Sequence, residues 1–180
     1  MTSSPTSNVN APEPTGALRQ LARNLDAHLR DLGLLALRLW AAQEFMLAGW
    51  TKLQGGTQAP AWFRGLDFPA VVAWLPVDAN WVAAGAGELV LGAALLVGLG
   101  TRLAAAGLLF ITWVAVHTVH FDLGWSGWNQ IETEAGLGFK VPLMLAVMLV
   151  AILTQGGGQY ALDRGRADRR RRTAHTPPMP

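Results

Sequence analysis

The chain has 180 residues, 51% of them hydrophobic and 14% charged, with 14 Lys and Arg against 12 Asp and Glu. That is enough for one small domain. The absence of cysteine excludes disulfides, iron–sulfur clusters, thiolate zinc sites and redox chemistry on the protein's own sulfur, so thiol chemistry here needs a partner.

Residues 1–16 are rich in Ser, Thr, Pro and Asn and lack apolar periodicity, which predicts a disordered tail. A long polar segment with Arg19, Arg23 and Arg30 precedes the first apolar run, unlike a secretory signal. Leu18, Leu21, Leu25, Leu29 and Leu32 recur at steps of three and four, with those arginines off the stripe. The spacing predicts an amphipathic helix over 17–31, lying on a membrane surface.

Residues 32–163 read as a membrane domain with spans at about 32–53, 79–101, 103–121 and 139–155. At ~1.5 Å per residue, ~20 apolar residues match a hydrocarbon layer ~30 Å thick. The first span holds Arg38, Gln43 and Glu44 and ends at Lys52; Glu88 is the charge within the second. Gly85, Gly87, Gly92 and Gly98 permit close helix approach in that second span. The loops 54–80 and 122–138 are rich in aromatic residues, which suits headgroup level and the capping of one mouth of the bundle. Residues 164–180 form a basic tail, with six arginines from Arg164 to Arg172, and are expected to be disordered. The fold class is therefore all-α, an integral membrane four-helix bundle with an N-terminal amphipathic interfacial helix and disordered tails.

The pI near 9.7 does not point to nucleic acid. Lys and Arg flank the hydrophobic spans, and ten of them fall on the side of the termini against three (Lys52, Arg64, Lys140) on the other. That asymmetry predicts cytoplasmic termini, and it makes anionic membrane lipids the natural partner of the basic tail.

An ionisable side chain within a span costs at least a few kcal/mol, so it usually faces the bundle interior and finds a partner. The candidate site is accordingly a polar pocket of Arg38, Glu44, Lys52, Glu88, His117 and His120. Carboxylates and imidazoles change protonation readily and can relay protons to a bound quinone or another small redox molecule. The plainer alternative is that these groups neutralise one another and fix helix register, with Arg38 paired to Glu88 or Glu44 or reaching the interface. His117-x-x-His120 with Glu44 or Glu88 offers too thin a ligand set, and no metal is assigned. The tryptophans read as interfacial anchors.

Several short motifs together resemble the DoxX family. They are Arg38-Leu39 followed by Phe45, Gly49 and Lys52-Leu53; Glu88 before the glycine-punctuated run to Ala105; Thr118-Val119-His120; Gly138-Phe139-Lys140-Val141-Pro142-Leu143; and Gly158-Gln159-Tyr160-Ala161-Leu162-Asp163. The resemblance covers about 33–163 and implies a small four-helix protein of the bacterial cytoplasmic (inner) membrane. It implies either a subunit of a quinone-linked or thiol/sulfur redox complex, with a soluble or membrane redox partner, or a non-catalytic membrane partner of a soluble protein or peptide, including a copper-related one. Arg38, Lys52, Glu88 and His120 fall on positions of the family pattern. Glu44 and His117 are read from this chain and not carried over from the family, and Ala161 stands where relatives often have Ser.

Overall fold

A computed structural model describes residues 15–164. The expectations for residues 1–14 and 165–180 lie outside the described residues. The first helix, α1 (Thr15–Gln54), runs for 40 residues, ~60 Å at the α-helical rise. No proline and no paired glycine interrupts that stretch until Gly55-Gly56, so the two elements expected at 17–31 and 32–53 form one uninterrupted helix. Leu21, Leu25 and Leu29, on its N-terminal half, are 64%, 58% and 59% exposed.

After α1 come two one-turn helices, α2 (Ala61–Arg64) and α3 (Ala70–Ala73), then α4 (Val77–Val97), α5 (Thr101–Val119) and α6 (Lys140–Gln155). Prolines 60, 69 and 76 immediately precede α2, α3 and α4; their fixed φ suits a helix start, where the missing N–H would have no intrahelical partner. Gly98 (φ 74°) and Gly100 (φ 56°) reverse the chain between α4 and α5. Both sit in the left-handed region that only glycine enters cheaply. Two helices, α4 and α5, are long and apolar enough to cross a membrane, while α6 is apolar but shorter.

The packing runs α1 on α4, α4 on α5, α5 on α6 and α6 back on α1. Ala41, Ala42 and Phe45 of α1, Leu95 of α4, Ala104, Ala105 and Leu108 of α5, and Leu149 and Ile152 of α6 form the shared core. The closest approach is between α1 and α4: a Cβ built on Gly49 would lie 2.5 Å from the Gly85 carbonyl oxygen, and one on Gly92 would lie 2.8 Å from Met46 Cγ. Backbone meets backbone there, as small residues allow.

Both aromatic loops lie at one end, here the loop end. One holds α2 and α3; the other holds a 3-10 helix (Gly124–Asn129) and a short antiparallel hairpin of β1 (Glu132–Thr133) and β2 (Gly136–Leu137). The α2–α3 segment folds over a satellite core of Ala59, Phe63 and Trp81. It is tied down by Arg64 Nη2 on Asp78 at 2.7 Å and by the Trp81 indole N–H donating to Gly56 O at 3.2 Å. Trp81 is only 6% exposed, which corrects its reading as an interfacial anchor. The opposite end, the turn end, carries the Gly98–Gly100 reversal and the segment 156–164.

Candidate functional site

Side chains on a helix lean toward its N-terminus. α1 and α4 run in opposite directions, so Lys52 on one and Glu88 on the other lean toward each other across the Gly49–Gly85 contact. Lys52 Nζ donates to both Glu88 oxygens, at 2.9 and 2.7 Å. The side chains are 24% and 8% exposed, and the pair is largely removed from solvent.

This pair sits at the floor of a cavity of about 360 Å³. Asn80, Ala83 and Ala84 of α4 form one wall; Phe110, Ile111, Val114, Ala115, Thr118 and Val119 of α5 form another; Trp62, Phe63, Phe68, Val72 and Leu75 of the α2–α3 segment roof it. His120, the first residue past α5, completes the lining. Its Nδ1 is buried and has no hydrogen-bond partner among the described residues. Asn80 donates through Nδ2 to Val72 O at 3.0 Å, which fixes its amide at the rim. Small side chains at 83, 84 and 115 leave the volume, and aromatic rings make its surface apolar.

Of the six candidate residues, the structure brings Lys52, Glu88 and His120 together. Arg38 is 14 residues before Lys52 on α1, ~21 Å along the axis, and its guanidinium is spent at the turn end. It donates to Leu95 O (3.1 Å), Leu96 O (3.1 Å) and Gly157 O (2.7 Å) and is 1% exposed. Two of those carbonyls belong to the last turn of α4, whose oxygens have no intrahelical donor. The expected pairing of Arg38 with Glu88 or Glu44 is thus replaced by a helix cap.

Glu44 is half-buried and does not line the cavity. It lies two residues, ~200° of helix, from both Ala42 and Met46, which face Gly92 of α4. His117 is exposed and stacks loosely with the exposed Trp113, ring centroids 6.2 Å apart. The shared stripe is that of Trp113 and His117, and it faces outward. His120 escapes it by leaving the helical track at φ −109°.

Sequence reasoning missed two groups. Asn80, Ala84 and Glu88 recur every four residues on α4, a stripe that could have placed Asn80 over the glutamate. At the turn end, Asp163 accepts from the backbone N–H groups of Gly100 and Thr101 (both 2.8 Å) and from the Thr101 hydroxyl (2.9 Å). It caps the first turn of α5.

The sequence profile of the DoxX family matches residues 33–121, a range that contains Lys52, Glu88 and His120. A Haemophilus influenzae relative, described as an uncharacterized protein, is 34% identical over 144 residues, covering 77% of this chain and 88% of the relative. The chain belongs to the DoxX family. No solved structure matches it. Within this DoxX protein, Lys52, Glu88 and His120 line the cavity, whereas Arg38, Glu44 and His117 do not.

Proposed function

We propose that this DoxX-family membrane protein crosses the bacterial cytoplasmic membrane four times with both termini cytoplasmic, and that its cavity binds a quinone as part of a redox complex. The observation that supports this reading is an ion pair held in a cavity whose lining, apart from Asn80, Thr118 and His120, is aromatic and aliphatic. A quinone ring is flat and apolar, with carbonyl oxygens that need donors. Phe63 and Phe68 supply surface for the ring; Lys52 has a third N–H beyond the two on Glu88, and Asn80, Thr118 and His120 also line the cavity. The bound quinone supplies two-electron chemistry. The chain's own residues orient it, exclude water and hold a proton on Glu88 or His120 beside the carbonyl oxygen. With no cysteine in the chain, a soluble or membrane partner delivers the electrons.

Protein purified in mild detergent should retain quinone or take up added decylubiquinone, and Lys52→Met should lose it while remaining folded. A wild-type protein that neither retains nor takes up quinone sinks the proposal. A second reading, a membrane partner of a soluble protein or peptide, is favoured by the exposed Trp125 (81%), Trp128 and Ile131 on the 122–138 loop. Co-purification of a soluble partner without bound quinone selects it.

A further inference from the structure

The cavity is not symmetrical. Lys52 and Glu88 form its floor, His120 lies just past the loop end of α5, and apart from Asn80 and Thr118 the rest of its wall is apolar. It lies in the loop-end half of the wedge between α4 and α5. In the turn-end half these helices are held together by the short glycine reversal and by a contact at Gly107, where a Cβ would lie 2.6 Å from Leu91 Cδ1, and at mid-length by one at Gly87, where it would lie 2.9 Å from Ile111 Cδ1. Toward the loops they separate, and the α2–α3 segment covers the gap.

Phe110 both lines the cavity and is 47% exposed, and Trp62, also in the lining, is 57% exposed. Phe110 stands nine residues from each end of α5 (Thr101–Val119), ~14 Å from either terminus. On a membrane-crossing helix this is the middle of the hydrocarbon. The cavity therefore reaches the surface at a depth where the medium is lipid. Its volume of about 360 Å³ is near the lower end of the ~300–1,000 Å³ usual for small-molecule sites. It has room for one substituted ring and none for a chain of tens of carbons.

We infer that the cavity is entered sideways from the bilayer, between α4 and α5 beneath the α2–α3 segment, and takes the head of a molecule whose long apolar tail remains outside, past Phe110 and Trp62. This rests on the quinone reading and narrows it to tailed, membrane-dissolved quinones. Ala83 is exposed and lies on the α4 side of the lining, so a bulky side chain there narrows the mouth without touching the ion pair.

The test uses the full-length protein in phosphatidylethanolamine and phosphatidylglycerol nanodiscs, titrated with decylubiquinone and with its tailless parent ring, binding being read from tryptophan quenching. A side chain that overfills the mouth obstructs the tail and not the ring seated within, so Ala83→Phe should weaken the decyl compound about tenfold more than the bare ring. Phe110→Ala, which opens the mouth, should speed uptake of the decyl compound and not of the ring. Equal effects of Ala83→Phe on both ligands, or unaltered uptake kinetics in Phe110→Ala, overturn sideways entry. Failure of both ligands to bind wild-type protein overturns the quinone reading itself, and this inference with it. Binding of both to wild type and of neither to Lys52→Met upholds the site, so that the mouth variants then report on the entry route alone.

Discussion

Lys52 and Glu88 each make the other's charge tolerable. Removing one partner of a buried pair leaves an uncompensated charge, at a cost of ~3–5 kcal/mol, whereas neutralising both is often close to harmless. Lys52→Met should therefore lower thermal stability in detergent sharply, and adding Glu88→Gln should restore most of the loss. A double variant no more stable than the single one would show that the lysine matters through packing. The two histidines should separate in the same way. His120→Ala should reduce ligand retention and His117→Ala should leave it at the wild-type level, because only His120 lines the cavity. The sequence makes both imidazoles neighbours by counting along a helix; it does not reveal that the helix ends at Val119, two residues before the expected 121, and that difference decides which ring turns inward. Arg38 was misplaced for a related reason. Depth along a span was readable from the sequence, but the carbonyls of Leu95 and Leu96 that the end of α4 turns toward Arg38 appear only in the fold.

At the scale of the element, the helices were legible wherever long apolar runs end in glycine or proline: α4, α5 and α6 fall within a few residues of the expected spans. The pieces that shape the cavity roof were not. α2 and α3 are single turns, too short for periodicity to declare, and they are held by contacts distant in sequence. The glycines of α1 divide by their surroundings. Gly49→Ala would push a methyl group into the Gly85 carbonyl and the Leu89 backbone nitrogen and should destabilise by ~1–3 kcal/mol, with a parallel loss of ligand binding as Lys52 and Glu88 are forced apart. Gly33→Ala meets nothing within 4 Å and should stabilise the helix by up to ~1 kcal/mol. Thermal melts of the two variants check the contrast, and equal shifts would contradict it.

For the whole molecule, the proposed four-span disposition puts both aromatic loops on one side of the membrane and both termini on the other. Reporter fusions at Thr173 and within 122–138 should report opposite sides of the membrane, and the same side for both would end the four-span topology. Over the helices, the spacing between Lys52 and Glu88 is set by main chain against main chain at Gly49 and Gly85, while the cavity's other walls are side chains on α4, α5 and the α2–α3 segment. The charged floor is thus a fixed fitting and the walls are interchangeable upholstery. Substitution at 83, 84, 110 or 115 can recut the chamber for a different occupant without moving either charge, so descendants of one scaffold can diverge in what they hold while keeping the same grip on it.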